Sequence, residues 1–267
     1  SWESPGALNA VRPPAGSGLL AAVGDGFTDD APAIQAALHH VAARPSASGV
    51  WPVVYLPRGI YALATPLFLP AGVALVGAAR HLTRLVPATK FDGYIRRDDP
   101  STPEEPAFLL HVMEGAAPRE SILSHMGITV WNHLANVSAL RWAAHTGIIR
   151  QFQAQRSSRC GALPDAGCEH SVPIDAPLHL VTSSARLSWF TFYLEDCCRS
   201  HVVNGVDVGP LAYWDSFLAG PQQQNYRHLL VRDAGITAPQ GSLRFYQLNC
   251  EHGTGEAICE FDGVRGV

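Results

Sequence analysis

The hydrophobic positions change period once, early in the chain, and do not change back. Ile34, Ala37, Leu38 and Val41 fall on one face of a helix. Thr28, Asp29 or Asp30 can cap that helix, and Pro32 suits its first turn. The spacing predicts one short helix near residues 30–43 that covers something apolar on one side only. Ahead of it, residues 1–23 are rich in Pro, Gly and Ala and read as an extended lead-in. Gly24 and Gly26 let the backbone turn sharply between the two.

After the helix the pattern becomes one of short β runs. Val53-Val54-Tyr55-Leu56-Pro57-Arg58-Gly59-Ile60-Tyr61 reads as strand, turn, strand, and residues 67–77 repeat the scheme through Leu69-Pro70-Ala71-Gly72-Val73. Further strand-like segments fall at 108–113, 126–131, 137–142, 178–182, 187–194, 200–208, 227–232, 243–249 and 257–262. No second helical stretch separates them, which excludes a doubly wound sheet. Short strands coiling into a solenoid fit instead, each turn stacked on the last, with the single helix capping the open end. Residues 24–267 are then one parallel β-helix domain. Residues 89–107 and 150–177 read as long surface loops, a common place for function on a repetitive scaffold. The final residues, 260–267, resemble the middle of a turn. The expectation is a domain cut short at its C-terminal end, with a further β-helix segment or domain after Val267.

Composition agrees with a large folded core. Hydrophobic residues make up 47% of the 267 residues and charged ones 16%, too apolar for disorder. No apolar run approaches the ~20 residues of a membrane span. The start carries no charged-then-apolar leader, so any signal peptide is expected to have been removed. The net charge is -4 and the arginines are scattered, which disfavours nucleic acid as a partner. Lys90 is the only lysine, a bias that reads as genome composition.

The six cysteines form no CxxC pair, so a zinc ribbon or redox motif is not indicated. Cys160 and Cys168 flank a Gly/Pro/Asp loop and read as a local disulfide. Cys250 and Cys259 can pair if the segment between them folds back, and the pairing of Cys197 and Cys198 stays open. Asn136-Val137-Ser138 is a glycosylation sequon. Together these point to a secreted protein. The twelve histidines show no HxH or HExxH spacing, no calcium-type oxygen cluster is visible, and neither metal nor cofactor is expected.

Two stretches carry a resemblance. Gly24-Asp25-Gly26, Thr28-Asp29-Asp30 and Ala33-Ile34-Gln35 resemble the opening motif of pectate-lyase-like right-handed parallel β-helix proteins, and Val54-Tyr55-Leu56-Pro57 and the 69–77 stretch continue it. Lyases, hydrolases, epimerases and phage tailspikes share these features, so they imply the fold rather than the chemistry. Residues 243–257, with Asn249-Cys250-Glu251-His252-Gly253, are similar to a turn of the exo-β-1,3-glucanase type, glycoside hydrolase family 55. That resemblance implies a polysaccharide substrate lying between two β-helix domains, with a general acid from the second. No catalytic acid carries over onto this chain. The Asn-Thr-Asp, Gly-His-Gly and Arg-Ile-Lys motifs of polygalacturonases and the Arg-x-Pro-x-x-Arg of pectate lyases are missing.

Candidate chemistry therefore comes from the residues themselves. Glu251, His252 and Glu256 form the densest polar cluster among strand-like residues. They read either as acid/base groups on a glycosidic bond or as a turn bonding its own backbone. Tyr213-Trp214-Asp215 with Gln223 suggests a sugar-binding loop: aromatic faces stack on sugars, and amides and carboxylates bond hydroxyls. Ordinary packing of that loop is the alternative. Trp131 and Trp142 read as core, His133 as core or groove, and Glu195 as solvated or facing a groove. The function expected is a glycoside hydrolase on β-glucan-like polysaccharide, this chain supplying the binding wall. A uronate lyase or epimerase and a non-catalytic adhesive β-helix are the alternatives.

Overall fold

A computed structural model describes residues 6–44, 51–89, 91, 107–115, 120–131, 137–144, 146–157, 178–181, 186–195, 201–204, 211–214, 217–219, 229–232, 243–246, 249–251 and 259–262. Strands β1 (Ala7–Asn9) and β2 (Asp25–Asp29) precede the helix α1 (Ala31–Ala42). Then follow β3 (Val53–Leu56), β4 (Gly59–Leu63) and β5 (Leu67–Leu69), and after them β6 (Ala74–Gly77), β7 (Thr83–Pro87) and β8 (Ala107–Gly115). Strand β6 pairs with β3, β7 with β4 and β8 with β5, all parallel. The chain thus returns to the same three positions, one strand spacing further on.

Longer strands continue the scheme. They are β9 (Ser121–Trp131), β10 (Val137–Ala144), β11 (Thr146–Ser157), β12 (Leu178–Val181), β13 (Arg186–Glu195) and β14 (His201–Asn204). The last are β15 (Leu211–Trp214), β16 (Phe217–Ala219), β17 (Leu229–Arg232), β18 (Leu243–Tyr246), β19 (Asn249–Glu251) and β20 (Cys259–Asp262). A 13-stranded sheet joins β9, β11 and β13 to β15 with β18 and to β16 with β19. A 3-stranded sheet holds β10, β8 and β5, and a 4-stranded one β12, β14, β17 and β20. Parallel strands in a curled sheet with a single helix among the described residues are consistent with a β-helix fold.

Register turns this stacking into a core. Leu8, Val54, Leu75, Leu123 and Ile149 lie opposite one another across β1, β3, β6, β9 and β11, and all are buried. The same column runs on through Phe190, Tyr213 and Phe245. A second column passes through Tyr61, Leu85 and Ile128, each fully buried, and on through Ala154, Leu194, Leu218 and Cys250. Every turn lays one apolar residue on the last, so burial accumulates along the stack.

Strands β9 and β11 cross the boundary between these columns without a loop. His125 (φ 56°) and Gln151 (φ 50°) are left-handed. The register, Ser124 with Arg150 and Met126 with Phe152, sets them side by side. One left-handed residue bends each strand where the earlier turns use Pro57-Arg58 or residues 78–82. Burial, and then the positive Arg150, hold the His125 imidazole below its ordinary pKa.

The opening acidic motif proves to be a clasp. Asp25 Oδ1 accepts the amides of Phe27 and Thr28, both at 2.8 Å, closing a tight turn. Asp29 Oδ1 accepts the amides of Ala31 (3.1 Å) and Ala64 (2.9 Å), tying the helix start to the first turn. Asp30 holds the N-cap position but does not cap. Its buried carboxylate turns back to the amides of Val23 (2.6 Å) and Gly24 (3.0 Å). At the other end of that turn the Gln35 side chain donates to the Phe68 carbonyl (2.9 Å) and accepts the Phe68 amide (2.8 Å). An amide side chain thus pairs with an edge of β5 as a strand would.

Two sequence expectations change. The lead-in contributes β1, which joins the large sheet. Residues 150–157, read as the start of an insertion, belong to β11. There the apolar alternation of Phe152 and Ala154 is diluted by Gln153, Gln155 and Arg156, and pairing with β9 overrides the polar composition.

Gly77→Ala should destabilise the fold by about 1–3 kcal/mol in chemical denaturation. A Cβ there would collide with the His125 carbonyl oxygen and sit 2.8 Å from Thr83 Cβ, both across the packed strand boundary. A wild-type midpoint for this variant would contradict that packing.

Asp30 makes a second prediction. Burial raises its pKa first of all; the amides of Val23 and Gly24 oppose the rise, and Asp25 and Asp29 add to it. A raised folded pKa means stability that is complete below the unfolded value and falls as pH climbs through the folded one. The stability of wild type relative to Asp30→Asn should therefore decline as pH rises above the ordinary aspartate range. Denaturant melts of both proteins at a series of acidic to neutral pH values measure it, and a flat difference would refute it.

Candidate functional site

The proposed sugar-binding aromatics lie on a strand, not in a loop. Tyr213 and Trp214 end β15, and Phe217 opens β16. Tyr213 takes the register of Phe190 and Ile149, while Trp214 lies opposite Tyr246. Tyr213 and Trp214 favour strands, and the stack recruits the run; the nearby glutamines and proline account for its loop character in the sequence. Glu251 ends β19 opposite Ala219. Cys250 belongs to the large sheet and Cys259 to the 4-stranded one, opposite Leu218 and Leu229. Trp131 ends β9 opposite Ser157, and Trp142 lies opposite Val112. Asp215, Gln223, His252, Glu256, Asn136, His133, Cys160, Cys168, Cys197 and Cys198 lie outside the described residues.

A polar ladder crosses the large sheet beside the second apolar column. Arg84, Gly127 and Gln153 are register partners on β7, β9 and β11. Gly127 has no side chain, and a Cβ there would approach the Arg80 carbonyl at 2.6 Å. The Arg84 guanidinium can therefore reach over it. It donates to Gln153 Oε1 (3.2 Å) and to Thr129 Oγ1 (2.8 Å), linking three strands. Gln153 and Thr129 are nearly inaccessible to solvent, so these bonds meet polar groups that burial would otherwise penalise.

The register carries both positions onward. From Gln153 the column passes to Tyr193, Phe217 and Asn249. From Thr129 it passes to Gln155 and Glu195. Leu194 pairs with Leu218, and on the next strand Ala219 pairs with Glu251. Two register columns thus align residues from distant parts of the chain, Arg84, Gln153, Tyr193, Phe217 and Asn249 in one and Thr129, Gln155 and Glu195 in the other.

A smaller arrangement lies on the other sheets. Phe68, His111 and Arg141 are register partners on β5, β8 and β10. The Phe68 and His111 rings stack with centroids 5.0 Å apart, and Phe108 meets His111 edge-on at 5.3 Å. Asn204, Arg232 and Asp262 share a column on β14, β17 and β20. Among the described residues no group of three or more His, Cys, Asp or Glu is placed to hold a metal ion, and no helix is long and apolar enough to cross a membrane.

Residues 20–109 match the family described as rhamnogalacturonase A/epimerase, pectate lyase-like. No curated protein matches the chain. Among solved structures, the A-module of the mannuronan C-5 epimerase AlgE4 of Azotobacter vinelandii is 11% identical with a TM-score of 0.26, covering 92% of this chain and 98% of that one. The A-module of AlgE6 from the same organism is 12% identical with a TM-score of 0.25, covering 90% and 97%. At such scores neither likeness bears on what this chain does. The sequence match is to the pectate-lyase-like family, over the stretch that holds the clasp, the helix and the first repeated strands.

Proposed function

We propose that this is a secreted polysaccharide-active protein, a right-handed parallel β-helix whose first turn is capped by α1. The cap reading rests on Gln35, which pairs with the edge of β5, and on the buried face of Ile34, Leu38 and Val41. A Cys160–Cys168 disulfide and a glycan on Asn136 belong to the same reading.

The chemistry proposed is hydrolysis of a neutral, β-glucan-like chain. The observation that carries it is the register of β13, β16 and β19, which sets Tyr193, Phe217 and Asn249 at matched positions on successive strands. Successive parallel strands lie about 4.8 Å apart, a spacing that suits an extended ligand spanning several turns. Amides and carboxylates bond sugar hydroxyls, and rings cover the apolar sugar faces. Trp214, Asp215 and Gln223 extend that binding wall. A second reading, a lyase or epimerase on uronates, is favoured by Arg141 and Arg232, whose guanidinium groups suit carboxylate-bearing sugars, and by the description of the matched family. A non-catalytic glycan binder is the third.

Assay against neutral β-glucans and acidic polyuronates separates the three. Release of glucose or short glucans supports the first. Unsaturated or epimerised uronates support the second, and binding without turnover the third. Binding to no glycan refutes all of them. Within the first reading, Trp214→Ala should weaken β-glucan binding about tenfold, the loss of one stacked ring, whereas Glu251→Gln should leave affinity within a few fold. Isothermal titration of the two variants against wild type gives the comparison, and the reverse order would remove Trp214 from the binding wall.

A further inference from the structure

We propose that the bends between the two apolar columns form a basic stripe that binds an acidic polysaccharide, with one carboxylate-bearing sugar to each turn of the coil. The inference goes beyond the glycan wall on β13, β16 and β19 and uses none of its residues. The arginines are scattered along the chain, yet stacking brings several of them to one corner. The bend from β3 to β4 carries Arg58, and the bend from β6 to β7 carries Arg80 and His81. The bend within β9 is His125, and the bend within β11 is Gln151, preceded by Arg150. Arg58, Arg80, His81 and Arg150 are exposed, and His125 is half-buried.

Contacts tie each bend to the next. The amide of Gly59, beside Arg58, donates to the Leu82 carbonyl (3.0 Å). The Arg80 carbonyl lies so close to Gly127, just past His125, that a Cβ there would stand 2.6 Å away. Arg150 is near enough to His125 to join burial in holding its imidazole below the ordinary pKa. On the capped side, the carboxylates of Asp25 and Asp29 are turned to backbone amides.

Period and charge choose the ligand. Successive turns advance by one strand spacing, about 4.8 Å. A polyuronate carries one carboxylate per sugar ring, a repeat of similar length, so a chain lying along the stripe meets a basic residue at every ring. A guanidinium has five N–H donors and grips a carboxylate with two of them, so the ligand adds to the partners such a side chain already has. Ile60 and Leu82, exposed beside the first two bends, offer apolar surface to the sugar faces. A nucleic acid is the other long polyanion to consider. Proteins that hold single strands stack the bases on aromatic rings, and no Phe, Tyr or Trp occurs in these bends. Each exposed ion pair is weak alone, and strength comes from several pairs engaging one chain.

The experiment uses the full protein with polygalacturonate, soluble β-1,3-glucan and single-stranded DNA as probes, titrated calorimetrically at low and high ionic strength. It compares wild type with Arg58→Ala, Arg80→Ala and Arg150→Ala, singly and combined. Arg44→Ala, which removes an exposed charge just past α1, is the control. Unchanged melting temperatures establish that the variants fold. Polygalacturonate should bind wild type, and salt should weaken it. Each single variant should lose affinity roughly two- to fivefold and the triple variant about tenfold or more. Arg44→Ala should bind as wild type does. Affinity for β-1,3-glucan should be the same in wild type and the triple variant. Wild-type affinity for polygalacturonate in the triple variant overturns the proposal. So does an equal loss in Arg44→Ala, which would reduce the effect to net charge, or a parallel loss of β-1,3-glucan binding, which would deny selectivity for acid groups. DNA binding tighter than polygalacturonate and lost in the same triple variant gives the stripe to nucleic acid and overturns the ligand named here. Failure of wild type to bind polygalacturonate at low ionic strength overturns the proposal whatever β-glucan does, and leaves the neutral-glycan wall to its own test.

Discussion

Everything in this molecule depends on parallel strands keeping register from one turn to the next. A one-residue slip would send every side chain of a strand to the opposite face. The apolar column that starts at Leu8 tolerates no such slip, because Leu8, Val54, Leu75, Leu123 and Ile149 are all buried. The same constraint that builds the core aligns what lies beside it. Arg84 finds Gln153 because Leu85, Ile128 and Ala154 have already fixed the phase. Site and core are one register seen at alternate positions.

A stack of this kind has a problem at its ends, where strand edges lack partners. The first turn meets it with side chains that imitate backbone. Gln35 offers one donor and one acceptor to Phe68, and Asp29 and Asp30 collect amides from the lead-in, the helix and the next strand. These bonds add to the pairing of β1 with β3 and of β2 with β4. The acidic motif belongs to architecture, which is why it identifies the fold and is silent about the reaction.

The parts of the fold that were legible in the sequence are those set by local chemistry. The helix face of Ile34, Ala37, Leu38 and Val41, the Pro/Gly punctuation of the first strands and the absence of further helical periodicity all act over a few residues. Strand β11 is hidden in the sequence because its polar Gln153 is stabilised by Arg84 of β7, far away along the chain. The aromatic run at 211–214 is chemically distinctive in the sequence but sits among loop-forming residues, and only pairing with β13 and β18 makes it a strand. Glu251 could be named from composition.

The bent strands have a consequence for how such a chain can change over generations. At His125 and Gln151 a single left-handed residue replaces the multi-residue turns found earlier in the stack. Lengthening such a corner costs little, because extra residues spill outward and leave both flanking columns in phase. Exchanging the corner residue for valine or isoleucine is far less tolerable, since a branched β-carbon resists that backbone conformation. Variation at these corners is therefore asymmetric. Insertions are open to drift, whereas the side chain of the pivot is confined to unbranched types, and new loops can be grafted onto an old scaffold at the points where the scaffold itself is least free to alter.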